Sequence, residues 1–378
     1  MMIETTDRND TLLAEISSLG EKIRRPTGVD QPFPRGAWSA IAEKGLFGEL
    51  TRRHERGSTP IVSTMTALEK LGEVSRDPGL NFSVATHLAS TICPLAKFGS
   101  SELQERFLGD LQAGSLIGAH AISEIDAGSD ALSMDANAVA DGETFILTAE
   151  KAFVTNGPIA DVIVVYAKTR AGNAVGNVSA FLVPTNIDGV ERGAAMEKAG
   201  LHSSPLGTLS LKECRILASY MLGREGGGFP ILSYVMKREI LFAFIINVGE
   251  MRRRLDRCVS YANQRTQFGR RIGTFQSVSN RIAEMKMRYE LSQKWLYYIA
   301  SKLPTNNDVT SDIAIAKVFI SEAAISTAID AMHIHGGHGY LAETGFGDEI
   351  ASAVAGPIYS GTNDIQRGRI AAMLGVSR

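Results

Sequence analysis

Cysteine is scarce in this sequence, and the cysteines present are widely separated. Cys93, Cys214 and Cys258 show neither the close pairing of a redox motif nor the spacing of a zinc site. A disulfide framework is therefore excluded as the basis of the fold, and the pattern is typical of a protein from a reducing compartment. We expect a cytoplasmic protein.

The sequence also lacks an excess of either charge and lacks a long hydrophobic run. Lys and Arg number 39 and Asp and Glu 41, and the basic residues form no stripe that would attract nucleic acid or an anionic membrane. The longest apolar run, residues 240–248, is too short to span a bilayer and contains Asn247. The first ten residues, MMIETTDRND, have no apolar core of the kind a signal peptide needs. These features argue against nucleic-acid and membrane partners.

An internal repeat, a low-complexity segment and a Gly-x-Gly-x-x-Gly motif are all missing, so a Rossmann dinucleotide-binding fold is not indicated. What the 378 residues do show is a change of hydrophobic period. Apolar residues recur every three or four positions from about residue 10 to 118 and every second position from about 119 to 222. The helical period returns after the glycine-rich segment GREGGGF.

This order of periods predicts an α+β protein in which a small β domain lies between two helical domains. The predicted domains are an all-α domain at 1–118, a β domain at 119–224 and a helical domain at 225–378. Within the last of these, helices are expected at residues 229–263, 274–302, 309–335 and 363–376.

The densest cluster of histidines is HIHGGHGY, with His333, His335 and His338 inside six residues. Three histidines suggest a metal, but no carboxylate or cysteine stands at ligand spacing and the glycines interrupt the helix that a metal pair would use. The favoured interpretation is a helix end whose glycines, Gly336 and Gly337, allow close approach of the backbone to a planar or phosphorylated ligand. No metal is predicted.

Two further segments carry small polar groups in loops or strands. In ISEIDAGSD, residues 122–130, hydroxyls and a glycine can present backbone N–H groups to an anion, although ordinary loops have the same composition. In EKAFVTNG, residues 150–157, Phe153 and Thr155 lie two apart on a predicted strand and so share a face. Such a pair suits a flat ring with polar edges, and equally a half-buried strand.

Residues 261–276, YANQRTQFGRRIGTFQ, join two predicted helices through glycines. Arg265, Arg270 and Arg271 lie in this turn. An arginine here suits a pyrophosphate, whereas many surface arginines only keep a protein soluble.

Glu239 is followed by residues that are almost all apolar, so its helix is expected to be buried nearly all round. On a helix it shares a face with Val235, Phe242 and Ile246. Burial of an unpaired carboxylate is costly and raises its pKa, which is a signal of a functional site. The alternative is a salt bridge, either to a neighbouring helix or to one of the two basic residues that precede Glu239.

Ser360, in the turn GPIYSGTNDIQR, is open to three interpretations: a nucleophile, a phosphate ligand, or a small residue before a helix that begins near Thr362. No histidine adjoins it to activate a nucleophile.

In this order along the chain, the motifs are specific. From about residue 15 to 376 the sequence resembles the acyl-CoA dehydrogenase family. The resemblance is carried by five segments in register, at 122–130, 150–157, 265–276, 336–340 and 359–367. It implies an N-terminal helical domain, a central β-barrel, a C-terminal four-helix bundle and bound FAD. It also implies a homotetramer or homodimer with FAD at a subunit boundary.

The resemblance carries site residues over position by position. Ser123 and Thr155 match hydroxyls at the flavin, Phe153 replaces a frequent Trp, and Ser129 matches a contact to FAD phosphate or to the substrate's pantetheine arm. Arg265, Phe268 and Gln276 match residues that reach the FAD of a neighbouring subunit. The segments 333–337 and 362–364 match further FAD contacts. The full set of implied cofactor residues is Ser123, Ser129, Phe153, Thr155, Arg265, Phe268, Gln276, His333, Gly336, Gly337, Thr362 and Asp364.

The family's reaction removes a proton beside a thioester carbonyl and transfers a hydride from the next carbon to the flavin, giving an α,β-unsaturated thioester. Many members place the base glutamate where this chain has Ser360, which the resemblance therefore marks as a position emptied of its base. A minority carry the base on the first long helix of the bundle, and that position is Glu239. The resemblance thus implies Glu239 as the catalytic base.

The chain departs from the family at several positions. Ile240 replaces a usual Arg, Ile125 and Asp126 replace a Pro, and an Arg-Asp pair expected near residues 351–352 is missing. At these positions, and in the segments MRRRLDRCVSYANQR and IYSGT, the chain resembles the subgroup that works in polyketide and related biosynthetic pathways. Some members of that subgroup accept acyl groups on a carrier protein, and some make extender units.

Three hypotheses follow. They are an FAD-dependent acyl-thioester dehydrogenase that uses Glu239 on an acyl-CoA or acyl-carrier-protein substrate, a carrier-protein-specific acyl dehydrogenase or oxidase that makes a polyketide extender or starter unit, and a flavin-free scaffold that has lost its base. An electron-transfer flavoprotein or oxygen is the expected electron acceptor for either enzyme.

Overall fold

The computed structural model describes residues 3–20, 23, 33–52, 59–305 and 308–376. The N-terminal part of the described chain is helical, as the period of its apolar residues predicts. Its helices are α1 (Ile3–Ser17), α2 (Arg35–Glu43), α3 (Leu46–Glu49), α4 (Pro60–Val74), α5 (Pro78–His87), α6 (Cys93–Phe98) and α7 (Ser101–Gln112). A π-helical turn, Leu88–Ile92, joins α5 to α6 without a break.

Local sequence accounts for the starts of these helices. Thr59 accepts a hydrogen bond from the backbone of Val62 and is followed by proline at the first position of α4. Asp77 and Ser100 cap α5 and α7 in the same way. These are the residue types whose short side-chain oxygens replace the missing helical acceptors.

The middle of the chain forms one eight-stranded sheet. Its strands are β1 (Gly118–Ala121), β2 (Asn137–Asp141), β3 (Thr144–Thr155), β4 (Val162–Lys168), β5 (Val178–Pro184), β6 (Val190–Arg192), β7 (Leu206–Leu217) and β8 (Met221–Leu222). The order is β6-β7-β3-β2-β4-β5-β8, with β1 paired to β4 in parallel, Gly118 opposite Val162. The expected β domain is thus present, and in the described residues its edge strands β6 and β8 are not paired to each other.

The C-terminal part returns to helices, and the predicted segments are confirmed with small shifts at their ends. They are α8 (Gly228–Gln264), α9 (Gln276–Lys302), α10 (Thr310–His335), α11 (Phe346–Ala353) and α12 (Asn363–Met373). A two-stranded hairpin, β9 (Thr266–Gln267) and β10 (Arg270–Arg271), joins α8 to α9. The short helix α11 was not predicted, because eight residues are too few to establish a period.

Helix α8 is the element that places the site. Glycine lets it approach α4 at backbone distance: a Cβ at Gly72 would collide with the carbonyl of Ile246, and one at Gly249 with the carbonyl of Glu69. The predicted apolar surroundings are also confirmed, since Val235, Phe242 and Ile246 are all buried. Within the described residues, no helix is long and apolar enough to cross a membrane.

Candidate active site

Glu239 lies in the interior of α8 with 12% of its side chain exposed. Two hydroxyl groups from distant parts of the sequence meet its carboxylate. Ser90 Oγ donates to Oε2 at 2.9 Å, and Ser360 Oγ donates to Oε1 at 2.5 Å. Each carboxylate oxygen therefore has one hydroxyl donor.

No cation neutralises this carboxylate among the described residues. Arg238 turns away: its guanidinium lies over the ring of Tyr234, 3.3 Å from the centroid, and donates to the Tyr234 carbonyl. The salt bridge considered from the sequence is therefore not formed. Burial raises the pKa of Glu239, and the hydrogen bonds from Ser360 and Ser90 work against that rise. A carboxylate with a raised pKa, near an apolar surface, is suited to accept a proton.

A buried histidine adjoins the carboxylate on the side of the β sheet. His120, on β1, has its Nδ1 3.9 Å from Glu239 Oε2. Burial lowers the pKa of His120 to about 3, so the imidazole is neutral and the contact is not an ion pair. Its ring meets the edge of Tyr166 at 5.2 Å between centroids. His120 Nε2 and the Tyr166 hydroxyl are both buried and have no hydrogen-bond partner in the described part of the chain.

Tyr359, the residue before Ser360, belongs to an aromatic cluster. The ring of Tyr359 lies 4.5 Å from that of Phe82 and 5.4 Å from that of Phe244, measured between centroids. The Tyr359 hydroxyl donates to Asn247 Oδ1 at 3.1 Å. A cavity beyond this aromatic cluster has a volume of about 10 Å³, enough for a single water.

The residues expected at a flavin ring come together on β1 and β3. The backbone N–H of Ala152 donates to the carbonyl of Ser123 at 2.9 Å, which brings the end of β1 against the end of β3. Phe153 has a φ of 56° at a register shift between β3 and β7. Its ring is 57% exposed, and Thr155 on the same face is half-buried. The strand therefore presents an aromatic face and a hydroxyl outward, as its spacing predicts.

Ser129 lies apart from this cluster, exposed in the loop that follows Ser123. A buried ion pair supports that loop: Lys151 Nζ contacts Glu124 Oε1 at 2.8 Å and donates to the carbonyl of Ile122 at 3.0 Å. Glu124 in turn accepts from two backbone N–H groups, those of Asp135 and Ala136. The loop is therefore held by its own chain.

Arg265, Phe268 and Gln276 are exposed at the far end of α8. Arg265 follows Glu239 by 26 residues, which corresponds to about 39 Å along a helix. Phe268, at the tip of the β9–β10 hairpin, is 93% exposed. The structure thus separates these three residues from the Glu239 pocket of their own chain.

The last group of expected cofactor residues lies around the ends of α10 and α12. His333 is exposed and its Nδ1 lies 2.8 Å from Arg281. A Cβ on Gly336 or Gly337 would meet no atom of the described residues within 4 Å, so the backbone there is uncovered by side chains. Thr362 caps α12 by accepting from Ile365, and Asp364 is exposed in the first turn.

These features fit FAD as the bound cofactor. An outward aromatic face with a neighbouring hydroxyl suits a planar ring, and a bare glycine backbone suits a phosphate or ribose. His333, His335 and His338 form no metal-binding group, nor do any three His, Cys, Asp or Glu side chains in the described part of the chain.

Sequence reasoning missed three residues at the carboxylate: Ser90, His120 and Tyr166. Ser90 gave no signal because serine is common in helices, and its direction depends on the π turn. His120 and Tyr166 lie in apolar strands. Their position near Glu239 depends on how these strands pack against α8, which the sequence pattern does not show.

Comparisons with known proteins agree with this architecture. The family descriptions "Acyl-CoA dehydrogenase, N-terminal domain", "middle domain" and "C-terminal domain" match residues 15–115, 119–214 and 226–375. An L-prolyl peptidyl-carrier-protein dehydrogenase from Serratia sp. is 39% identical over 343 residues, covering 90% of this chain and 88% of the relative.

Two solved structures are similar along nearly their whole length. The prolyl acyl carrier protein oxidase AnaB has a TM-score of 0.91 and 32% identity, covering 97% of this chain and 98% of that one. PigA, solved with FAD and proline, has a TM-score of 0.89 and 34% identity, covering 100% of this chain and 98% of that one.

Proposed function

Because the chain belongs to the acyl-CoA dehydrogenase family, we propose that Glu239 is its catalytic base and that its substrate is a small acyl group on a carrier protein. The chain is an FAD-dependent acyl dehydrogenase, an oxidoreductase acting on CH–CH bonds. The flavin-free scaffold considered from the sequence is therefore set aside.

The observation that carries the base assignment is the buried Glu239 carboxylate, which has no cation beside it among the residues that the structure describes. The proton to be removed lies next to a thioester carbonyl, and a carboxylate abstracts it best where water is excluded. Glu239 meets both needs, because burial raises its pKa and the surrounding residues of α8 are apolar. When bound, FAD supplies the acceptor for the hydride of the neighbouring carbon. Glu239 then holds the proton at a carboxyl oxygen.

Glu239→Gln tests this assignment. The variant keeps the shape and the hydroxyl contacts but has no basic oxygen, so the rate of flavin bleaching by substrate should fall by about 10²–10⁴-fold. Stopped-flow absorbance measures the rate, and the bound flavin measures folding. Glu290→Gln, on the surface of α9, is the control and should bleach normally. Bleaching of Glu239→Gln at the normal rate would refute the role of Glu239.

The names of similar proteins support a small acyl group delivered by a carrier protein. Relatives are named for prolyl groups on carrier proteins. We therefore propose a prolyl thioester as the substrate and Ser129, exposed in its loop, as a contact for the pantetheine arm or the FAD phosphate.

A panel of thioesters tests the substrate. Prolyl and butyryl groups are each offered on a carrier protein and on CoA, and flavin bleaching is followed. We expect prolyl-carrier to react fastest, and at least about tenfold faster than prolyl-CoA. Equal rates on the two carriers would refute carrier specificity, and a preference for butyryl would refute the prolyl group.

We further propose a homodimer or homotetramer in which Arg265, Phe268 and Gln276 contact the FAD of a neighbouring subunit. Their exposure and their distance from the Glu239 pocket support this. So does a stripe of exposed apolar side chains on α9, formed by Met287, Leu291, Trp295 and Tyr298. Such a contiguous stripe is typical of a surface that another protein covers. Light scattering of Phe268→Ser against the unaltered chain tests the assembly.

The electron acceptor is an electron-transfer flavoprotein or oxygen. Mixing the substrate-reduced protein with air-saturated buffer distinguishes them, since rapid reoxidation identifies oxygen. We propose a cytoplasmic location, because Cys93, Cys214 and Cys258 are buried as free thiols.

A further inference from the structure

Two backbone irregularities aim hydroxyl groups at Glu239. Ser360 has a φ of 57°, in the left-handed region that a non-glycine residue adopts only at a cost. It is followed by Gly361, also left-handed, before Thr362 caps α12. From this backbone Ser360 Oγ reaches Glu239 Oε1.

Ser90 lies in the second irregularity, the π-helical turn Leu88–Ile92. A π turn adds one residue to a helical turn and so changes the direction of the side chains within it. Ser90 is buried there and donates to Glu239 Oε2 at 2.9 Å. Two serines, each in a distorted backbone segment, thus donate hydrogen bonds to different oxygens of the Glu239 carboxylate.

We propose that Ser90 and Ser360 are positioning residues that hold Glu239 in its anionic, proton-accepting state and fix the direction of its free lone pairs. The inference rests on the proposed role of Glu239 as base. A hydroxyl can only donate to an ionised carboxylate, and hydrogen bonds to a charged group are stronger than those to a neutral one. With one lone pair of each oxygen taken by a serine, the remaining lone pairs are left for the substrate proton. Ser360 therefore has a task at the position where many relatives carry the base.

The other titratable groups that face the Glu239 carboxylate keep one protonation state near neutral pH. His120, from β1, is neutral because burial lowers its pKa to about 3. Burial also raises the pKa of Tyr166, from β4, and of Tyr359, before α12, so both phenols stay protonated. The side chain of Arg238 is turned to Tyr234. His120, Tyr166 and Tyr359 therefore keep their charge near neutral pH, and Glu239 is the group of this set that can change its own.

The test uses Ser90→Ala, Ser360→Gly and Ser360→Ala. Ser360→Gly removes the hydroxyl while relaxing the left-handed backbone, so it should fold at least as well as the unaltered chain. Ser210→Ala removes a serine–glutamate hydrogen bond on the exposed face of β7 and is the matched control. The first readout is the pH dependence of flavin bleaching by the prolyl-carrier thioester.

We expect each loss of a hydroxyl to move the bleaching profile to higher pH and to lower the rate at pH 7 by about tenfold. Ser360→Gly and Ser360→Ala should behave alike, because the hydroxyl and not the backbone strain is responsible. The second readout is the infrared carboxyl signal of Glu239, taken as the difference from Glu239→Gln in protein stripped of flavin. Its titration should move to higher pH in the serine variants and stay in place in Ser210→Ala.

An unchanged bleaching profile and an unchanged infrared titration in the double variant Ser90→Ala/Ser360→Gly would overturn the inference. That result would leave the base intact if Glu239→Gln is inactive. Normal bleaching of Glu239→Gln would instead refute the base, and the infrared titration would still decide whether the two serines hold the carboxylate ionised.

Discussion

Glu239 and Glu349 are two carboxylates buried to nearly the same extent, with 12% and 10% of their side chains exposed. Their partners are opposite in kind. Glu349, on α11, contacts three guanidinium groups from α8: Arg254 at 2.8 Å, Arg257 at 3.0 Å and Arg253 at 3.5 Å. Glu239, on α8 itself, has two serine hydroxyls.

The pKa values move in opposite directions for this reason. Burial alone would raise the pKa of Glu349, but the charges of Arg253, Arg254 and Arg257 outweigh it and hold that pKa below its usual range. Burial raises the pKa of Glu239, and hydroxyls oppose it without cancelling it. The comparison teaches that one carboxylate is fixed as a permanent anion that joins helices, while the other is left able to take up a proton.

The largest effect on stability is expected from Glu349→Ala, which removes the carboxylate that joins helices. Arg254 is almost fully buried and would lose its main anionic partner, so we expect a loss of about 3–5 kcal/mol in the free energy of unfolding. Urea denaturation measures it. The exposed pair of Glu191 and Lys212 gives the control, since Glu191→Ala should cost less than about 1 kcal/mol. If Glu349→Ala also cost less than about 1 kcal/mol, the structural role of Glu349 would be contradicted.

A smaller effect is expected from Gly249→Ala, which disturbs the helix that carries Glu239 and the three arginines. The added Cβ would collide with the Glu69 carbonyl and lie 2.7 Å from the backbone nitrogen of Glu73. We expect a loss of about 1–3 kcal/mol and slower flavin bleaching, because α8 must move away from α4. Gly368→Ala on α12, where the Cβ meets open space, should stabilise by about 0.5–1 kcal/mol. Equal effects would exclude the close approach of α4 and α8.

The smallest effect is expected for stability in Glu239→Gln, and it has the opposite sign. Because the folded-state pKa of Glu239 is raised, its stabilising contribution is present below the unfolded pKa and is lost as pH rises through the folded pKa. The variant should therefore gain stability at pH above the folded-state pKa, by less than Gly249→Ala loses, and gain nothing at acid pH. Glu349→Gln should lose most at neutral pH, since its pKa is lowered. Thermal melts across pH measure both, and parallel curves would contradict the comparison.

Much of the fold follows from periods that the sequence displays. The long helices α8, α9 and α10 are predicted within a few residues of their ends, because apolar positions recur over many turns. The predicted β region is confirmed for the same reason. Helix α11 is not predictable in this way, although it carries Glu349, because its eight residues, about two turns, are too short a pattern to exceed chance.

The carboxylate site is only half predictable. An acid among Val235, Phe242 and Ile246 is visible in the sequence as a costly burial. Its two serine partners are not, since Ser90 and Ser360 lie 149 and 121 positions away. The direction of the Ser90 side chain depends on a π turn, and that of Ser360 on a left-handed backbone. Serine does not require either conformation, so the sequence does not predict them. Periodicity identifies which face is buried and leaves open which groups meet there.

The exposed ring of Phe268 has a consequence for how the protein behaves on dilution. In the assembly we propose, this ring is covered only when a second chain is present, and the same contact reaches that chain's FAD. Subunit association and flavin retention are then thermodynamically linked, because whatever binds the associated state alone also stabilises it. Dilute solutions should lose their yellow colour as the chains separate, and added FAD should lower the protein concentration at which the assembly persists.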